Sequence, residues 1–382
     1  MTDHYRHDST GRHLEVIGMI GNHNASETIP RQGPIIDREY IRALATAHEH
    51  GGFDRVLLAF HSVSPDSLFV GQYVASVTRR LKLMLAHRPG FTAPTIAARQ
   101  LATLDHLTDG RTSVHIITGG NDRELAQDGD FLTKDERYAR TSEYLDILRA
   151  EWSATEPFDY QGDYYRVKGA FADVKPEGPE RIPVFFGGSS PAAIAVAGKH
   201  ADTYALWGET YAQVAETIAA VRAAAARHGR DPRFSLSLRP ILGRTEDEAW
   251  AKADRILARA TELKGRGTTG IPRSYTDRDA PANEGSRRLL AAAAQGERLD
   301  KRLWTGIAKL TGAAGNSTAL VGTPDQVVDA LLDYWRLGVS TFLIRGFDPL
   351  PDAIDYGREL IPRLRAAVAA EEGRLPATHA AE

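Results

Sequence analysis

The segment from Leu81 to Asp135 restricts the possible folds of this chain most, because two strand patterns flank a helical one. A first apolar run stops at His87-Arg88-Pro89-Gly90, and a second run, Val114–Ile117, leads into Thr118-Gly119-Gly120. Between the two runs, the apolar residues Ile96, Leu101, Leu104 and Leu107 recur at helical spacing. Successive strand–helix units imply parallel strands joined by crossover helices. We therefore expect both polar loops to lie at the same face of a sheet.

The same alternation continues along the chain. Eight apolar runs predict strands, and helical patterns separate nearly all of them. Those predicted strands are Leu14–Ile20, Asp54–Phe60, Leu81–Ala86, Val114–Ile117, Ile182–Phe186, Ala201–Leu206, Phe234–Leu242 and Val339–Arg345. Eight such units indicate an α/β fold, specifically a (β/α)8 TIM barrel. A doubly wound sheet is less favoured, because the loop 21–24 after the first strand does not match the GxGxxG phosphate-binding pattern.

Two segments interrupt the alternation. The first, Phe158–Val174, is rich in Tyr and Gly and predicts a β-hairpin around Gly162-Asp163. The second, 264–317, follows the seventh strand; it is polar and rich in Gly and Pro, which predicts a lid insertion or disorder. We interpret residues 1–382 as a single barrel domain with this insertion and with loose tails at 1–13 and 371–382.

Composition narrows the class of protein. A formal net charge of −3 gives no reason to expect a nucleic acid or an anionic membrane as partner. The chain has no cysteine, which excludes disulfides and thiolate ligands. No apolar run approaches the roughly 18 residues that span a bilayer, and the polar N-terminus lacks the apolar core of a signal peptide. We therefore expect a cytoplasmic protein. The HExxH pattern is absent, and we predict no metal site.

Two glycine-rich loops carry groups that suit a phosphate. Gly187-Gly188-Ser189-Ser190 stands between the fifth strand and a helix, where free backbone N–H groups and two hydroxyls meet a positive helix end. The same pattern commonly does no more than cap a helix. A second glycine pair, Gly119-Gly120, follows the fourth strand. Together the two loops predict a phosphorylated cofactor.

Five stretches of the sequence resemble the bacterial luciferase-like flavin monooxygenases, and within them the alkanesulfonate monooxygenases. They are AHRPGFTAPTIAARQLATLDHLTDGR, ITGGNDRELAQDGDFLTKDERY, PVFFGGSSPAA, ALWGET and STALVGTPDQV. The resemblance covers roughly Leu14 to Arg365. It implies a lid after the seventh strand, and reduced FMN supplied by a separate NAD(P)H-dependent flavin reductase. It also implies dioxygen as co-substrate, cleavage of a carbon–sulfur bond to sulfite and an aldehyde, and a homodimer or homotetramer.

The resemblance also suggests roles for individual residues. His23 falls where the family has an active-site histidine, and Trp207 falls on a substrate-pocket wall. Ser64 falls where the alkanesulfonate enzymes often carry a cysteine near the flavin. Positions that hold the flavin and its phosphate are matched by Thr118, Tyr138, Ser189 and Ser190. We add Gly188, from the glycine-rich loop, and His87, at the end of the third strand, as cofactor-binding residues.

The substrate end departs from the family pattern. An Arg-x-His pair on the seventh strand is replaced by Ser237-Leu238-Arg239, and a tyrosine after the eighth strand by Phe347. The sulfonate-binding arginine of the family has no counterpart near the end of the insertion. We predict that His23, Arg239 and Arg345 form the catalytic and substrate-binding set, because guanidinium groups bind sulfonates well. The departures favour a bulky or polar sulfonate, such as a sulfosugar, or a sulfone.

Other interpretations remain open from the sequence alone. Arg239 is also compatible with a glutamate partner and Arg345 with a pairing to Asp348; Glu209 is most simply a loop-fixing residue, and Asp66 a helix N-cap. At the level of function, the alternatives are a deazaflavin-dependent dehydrogenase on the same barrel and a flavin-binding protein without turnover. A metal-dependent barrel hydrolase is less favoured.

Overall fold

The computed structural model describes residues 13–177, 181–270, 283–313, 315 and 317–373. The predicted tails therefore lie almost entirely outside the described residues, and so does the middle of the predicted lid, 271–282. In the described part, no helix is both long and apolar enough to cross a bilayer.

Eight parallel strands close into a barrel, which confirms the predicted (β/α)8 architecture. The barrel strands are β1 (Glu15–Ile20), β2 (Arg55–Leu58), β3 (Lys82–His87), β4 (Thr112–Ile116), β7 (Val184–Gly187), β8 (Thr203–Trp207), β9 (Arg233–Leu242) and β13 (Val339–Ile344). Closure comes from β13, which pairs with β1 on one side and with β9 on the other. Each strand overlaps one of the eight apolar runs.

Helices follow the barrel strands on the outside. They are α1 (Arg38–His50), α2 (Ser67–Val77), α3 (Pro94–Leu107), α4 (Asp122–Gln127), α5 (Lys134–Ser153), α6 (Pro191–His200), α7 (Tyr211–Ala226), α8 (Glu246–Gly265), α11 (Pro324–Leu337), α12 (Pro349–Asp355) and α13 (Ile361–Glu372), with a π-helical turn at Tyr356–Leu360. Side-chain caps fix where several begin: the Asp66 carboxylate accepts from the backbone of α2, as predicted, and Thr133 forms a capping box at α5. These boundaries place the loops that build the mouth.

The barrel strands are buried on both faces, as is usual for parallel strands under helices. Toward the barrel axis, Ile17, Met84, Phe185 and Leu343 form a small apolar cluster of their own. Below it, Arg55 is buried and its Nε donates to Glu15 at 2.8 Å. Side chains therefore fill the lower part of the barrel interior.

Two excursions leave the regular pattern. The predicted hairpin is present as antiparallel β5 (Phe158–Gln161) and β6 (Arg166–Ala170). The second excursion follows α8, and its described part is more regular than predicted. It contains α9 (Glu284–Gln295), β10 (Arg298–Leu299), β11 (Leu303–Trp304) and α10 (Gly306–Thr311), and it returns through β12 (Ala319–Gly322).

The prediction of an irregular segment is therefore wrong from Glu284 onward. The Gly- and Pro-rich residues before α9 conceal this alanine-rich helix in the sequence. Strand β9 anchors the return of the insertion: its first half pairs with β8 and β13, whereas Arg239 to Leu242 pair with β12. The inserted segment is thus attached to the barrel wall by backbone hydrogen bonds.

Candidate active site

A cavity of about 290 Å³ opens at the carboxyl ends of β4, β7 and β8. Its wall combines the two glycine-rich loops, residues from the ends of β2 and β3, and the first turn of α9. In barrels of this type the loops after the strands carry the active site. Of the predicted site residues, the structure brings Thr118, Tyr138, Gly188, Ser189, Ser190 and Trp207 together around this cavity.

The loop before α6 forms a cradle of hydrogen-bond donors. Gly188 has φ +136°, and a Cβ added there would lie 3.0 Å from the Tyr138 hydroxyl and 2.8 Å from Ala193 Cβ. A side chain would thus collide with the neighbours that shape the loop. Ser190 caps α6 by accepting from the Ala193 backbone, and burial raises the pKa of the Tyr138 hydroxyl, which bonds Ser190. Neutral donors and a helix N-terminus face the cavity here, an arrangement suited to an anion.

A cation that the sequence analysis overlooked lies in the same wall. Lys134, the first residue of α5, lines the cavity together with the loop Thr118-Gly119-Gly120. Among the described residues it makes no salt bridge. Its proximity to Tyr138, one helical turn further on, gives the cradle a positive charge. The signal in the sequence was the spacing of four residues between Lys134 and Tyr138, which puts both on one helix face.

The inserted helix α9 covers the cavity from above. A Cβ added at Gly285 would come within 2.9 Å of the Trp207 indole, so the helix start packs directly on that ring. Arg288 holds α9 down: its Nε donates to both Glu209 carboxylate oxygens at 3.1 and 2.9 Å, and its Nη1 to Glu216 at 3.1 Å. Burial raises the pKa of Glu209, although Arg288 opposes this effect. The geometry agrees with a loop-fixing role for Glu209.

The opposite wall contains a network of charged groups from two loops and helix α4. His61 lines the cavity, with Nδ1 3.9 Å from a Glu124 carboxylate oxygen. That oxygen also accepts from Arg88 at 2.9 Å and from the Ser62 backbone at 3.1 Å. The Arg88 guanidinium lies over the Phe60 ring, 5.1 Å from its centre. Arg88 and Glu124 thus compensate each other next to His61. None of these four side chains was among the predicted site residues, although Arg88 belongs to a loop that was expected at the mouth.

Arg239 has a different environment from the predicted one. Its side chain is fully buried, and Nη1 and Nη2 donate to the two carboxylate oxygens of Glu27 at 2.8 and 2.9 Å. Nη2 also donates to the Gly346 carbonyl, and the guanidinium lies 3.5 Å from the centre of the Phe347 ring. With no exposed surface, Arg239 cannot contact a substrate, so the structure contradicts its predicted role. The glutamate partner considered as an alternative is the one observed.

Arg345 shares the same carboxylate. Its Nη2 donates to Glu27 Oε1 at 3.0 Å, and 28 % of its side chain stays exposed. The pairing with Asp348 that the sequence allowed is replaced by this one. Burial would raise the pKa of Glu27, but Arg239 and Arg345 outweigh it and lower the pKa to about 2. The result is a buried Arg–Glu–Arg cluster formed by β9, the loop after β1 and the residue after β13.

Three further predicted residues lie outside the cavity wall. His87 occupies the face of β3 that points away from the barrel axis, and its Nε2 is 2.7 Å from the Tyr144 hydroxyl on α5. The half-buried His23 has Nδ1 3.1 Å from the Ile35 carbonyl. Ser64 belongs to a turn in which its backbone N–H donates to the His61 carbonyl. The structure therefore gives His87 a packing role instead of the predicted cofactor contact, and it does not bring His23 or Ser64 to the lining.

The residues around the cavity fit a phosphorylated flavin. Lys134, Tyr138, Ser189 and Ser190 offer a cation and hydroxyl donors beside the α6 N-terminus, and glycines keep the loops open for a bulky group. Half-buried Trp207 and the apolar ends of the strands provide surfaces for a flat ring. In the described part of the chain, no three His, Cys, Asp or Glu side chains are grouped as metal ligands would be.

Comparison with known proteins places this arrangement in a family. The model of the luciferase-like monooxygenase family matches residues 14–341. Among solved structures, EDTA monooxygenase from Chelativorans sp. BNC1 is 20 % identical with a TM-score of 0.73, covering 95 % of either chain. A long-chain alkane monooxygenase is 21 % identical with a TM-score of 0.72, over 93 % of this chain and 92 % of its own. A riboflavin lyase solved with modified FMN and riboflavin is 20 % identical with the same TM-score and coverage. The structures show the shared fold, and the family match over most of its length shows that this chain belongs to the luciferase-like monooxygenases.

Proposed function

We propose that the protein is the oxygenase of a two-component system that cleaves the carbon–sulfur bond of an organosulfonate with reduced FMN and dioxygen. The observation that carries this proposal is the donor-rich cradle of Gly188, Ser189, Ser190, Tyr138 and Lys134 beside a roofed cavity. In the balanced reaction, the sulfonate R–CH2–SO3⁻, reduced FMN and O2 give the aldehyde R–CHO, sulfite, oxidised FMN, water and a proton. One oxygen atom enters the aldehyde and the other enters water.

The chain's own residues bind and orient the cofactor in this proposal. Ser189, Ser190 and Tyr138 donate to the phosphate, Lys134 balances its charge, and Thr118 lies beside the ring. Bound reduced FMN supplies the two electrons with which dioxygen is reduced. Trp207 forms the wall between the ring and the inserted helix, where we place the substrate. Because the buried Arg239 forms an ion pair with Glu27, the negatively charged group of the substrate must be bound by other residues.

The inserted helix keeps water out. Helix α9 packs on Trp207, and Arg288 ties it to Glu209 and Glu216 on the barrel. An oxygenase needs such a cover because water and stray protons divert reduced flavin and dioxygen to hydrogen peroxide. We therefore infer that the insertion is a lid whose closed position is stabilised by the Arg288 ion pairs.

The proposal includes partners. In this proposal a separate NAD(P)H-dependent flavin reductase supplies reduced FMN, and the protein is cytoplasmic. The family resemblance further suggests a dimer or tetramer. For the substrate, a bulky or polar sulfonate such as a sulfosugar is favoured over a simple alkanesulfonate, because the arginine and tyrosine expected by the family pattern are missing.

The test is sulfite release from a panel of sulfonates with FMN, a flavin reductase, NADPH and air. The panel runs from ethanesulfonate to sulfosugars and includes an uncharged sulfone. Sulfite from at least one sulfonate, lost in Ser190→Ala but kept in the exposed control Arg244→Met, is the expected result. Oxygen uptake without sulfite would replace the sulfonate by another substrate. Reduction of a deazaflavin without oxygen uptake would favour the dehydrogenase alternative and overturn the oxygenase.

A further inference from the structure

His115 lies at the floor of the cavity, on the face of β4 that points toward the barrel axis. Its sequence neighbours Val114 and Ile116 pack in the core between the barrel and the helices, so His115 faces the opposite way. Its register partner in β7 is Phe185, a member of the apolar cluster inside the barrel. His115 also belongs to the residues that line the cavity. The imidazole therefore borders the ligand space from below.

The His115 ring has a hydrogen-bonding capacity that the described part of the chain does not satisfy. Nδ1 is buried and has no hydrogen-bond partner among the described residues. Burial lowers the pKa of His115 to about 4, although the Phe185 backbone, whose carbonyl accepts from the ring, opposes this shift. At neutral pH the ring is therefore uncharged, with one nitrogen that donates and one that accepts. Since the donor side faces the Phe185 carbonyl, the unpartnered Nδ1 is the acceptor.

Three other side-chain acceptors in the cavity wall already have donors. Glu124 and Glu209 each accept from an arginine, and the Asn283 side chain accepts from the backbone of α9. His115 differs from them because its acceptor is unused. An oxidised isoalloxazine ring has a single N–H group, at N3, whereas N1, N5 and the two carbonyl oxygens only accept. A flavin in this cavity therefore offers one hydrogen-bond donor on its ring, and His115 offers an acceptor for it.

We propose that the His115 imidazole accepts a hydrogen bond from N3–H of the bound flavin and so orients the pyrimidine edge of the ring toward β4. The inference rests on the flavin site of the proposed function and adds a cofactor contact to it. The phosphate cradle and His115 then hold opposite parts of the cofactor. A buried group that is left without its partner costs free energy, and flavin binding removes this cost.

The experiment compares FMN with 3-methyl-FMN, in which a methyl group replaces the hydrogen on N3. Both ligands carry the same phosphate, so the cradle does not distinguish them. Fluorescence quenching at pH 7 measures the two dissociation constants in wild type, His115→Leu and His115→Asn. Leucine has no acceptor, whereas the asparagine amide oxygen restores one near the position of Nδ1. Lys134→Ala, at the phosphate cradle, and the exposed Arg244→Met are the controls.

We expect wild type to bind FMN about fivefold or more tightly than 3-methyl-FMN, and this ratio to fall toward one in His115→Leu. His115→Asn should keep a preference for FMN, and both control variants should keep the wild-type ratio. Equal affinities in wild type would overturn the contact, whether or not the His115 variants fold. A ratio that persists in His115→Leu would overturn it as well, because the cavity wall and not His115 would then exclude the methyl group.

Sulfite assays separate this inference from the proposed function. Sulfite release by a wild type that binds both flavins equally would keep the oxygenase and reject the His115 contact. A preference for FMN that depends on His115, without sulfite from any sulfonate, would keep the contact and reject desulfonation.

Discussion

The two sides of the barrel mouth treat their polar groups in opposite ways. At the ends of β4, β7 and β8, Lys134, Tyr138 and the Gly188–Ser190 loop direct donors into a cavity. Around β9, the loop after β1 and the residue after β13, the charged groups pair with each other: both terminal nitrogens of Arg239 donate to Glu27, and Phe347 packs on the guanidinium. The first side is built for a ligand, and the second is built mainly for internal stability. A charged residue at a strand end is therefore not in itself a binding residue.

The largest effect on stability should come from removing the carboxylate of the Arg239–Glu27–Arg345 cluster. Glu27→Gln removes the only carboxylate that the cluster's two arginines contact among the described residues, leaving two guanidinium groups close together. Breaking a buried pair in this way costs about 3–5 kcal/mol in the free energy of unfolding. Urea denaturation followed by circular dichroism measures it. The control Glu262→Gln removes a solvent-exposed partner of Arg259 and Arg266 and should change the free energy of unfolding far less. Equal losses in the two variants would contradict the contrast.

The acid sensitivity of the same cluster is the next largest effect. The pKa of Glu27 is lowered from 4.5 to about 2, so its stabilisation is complete above pH 4.5 and is lost as the pH falls toward 2. This difference corresponds to on the order of 3 kcal/mol. Wild type should therefore lose stability between pH 4.5 and 2 more steeply than Glu27→Gln does. The free energy of unfolding is measured by denaturant titration of both proteins at pH 5, 4 and 3. If it falls equally steeply with pH in the two proteins, Glu27 is not the responsible carboxylate.

Substitutions around the cavity should change the affinity for the ligand and leave the free energy of unfolding nearly unchanged. Lys134→Ala removes the cation of the cradle, and we expect FMN affinity to fall roughly tenfold to a hundredfold, as for a lost charge-assisted hydrogen bond. Riboflavin, which lacks the phosphate, should bind wild type and variant alike. Fluorescence quenching of both ligands measures this difference. An equal loss for riboflavin would place Lys134 at the ring instead of the phosphate.

The smallest effect is expected at His87, which the sequence suggested and the structure places elsewhere. His87→Gln disturbs the contact with Tyr144 outside the barrel wall, so stability should fall by about 1 kcal/mol. The dissociation constant of FMN should stay within about twofold of wild type. A tenfold change would return His87 to the cofactor site.

The sequence was sufficient for the barrel and for half of its mouth. Eight apolar runs specify eight strands because parallel strands under helices are apolar on both faces, and the glycine-rich cradle is local in sequence. Because such strands are apolar on both faces, the sequence does not show which way His87 points. The run before it, Leu81–Ala86, lacks the alternation of polar and apolar residues that would distinguish the inner face from the outer one.

Long-range pairings explain the other errors. Glu27 and Arg239 are 212 positions apart, and the residues next to Arg239 in the sequence do not indicate a carboxylate partner. His61 and Lys134 each look like ordinary loop or helix-end residues until the strands bring them to the same cavity. Arg239 was predicted to bind substrate from a place at a strand end; in the structure it lies within β9, and its position carries no information on what neutralises its charge.

The change of partners along β9 also bears on hydrogen exchange. From Arg239 onward this strand pairs with β12, with the Arg239 amide donating to the Thr318 carbonyl and the Gly243 amide to the Gly322 carbonyl. Those amides should exchange with deuterium only when the barrel itself opens. The α9 amides, held to the barrel mainly by side chains such as Arg288, should exchange through local opening. We therefore expect slow exchange where β12 joins the insertion to β9, and faster exchange in α9.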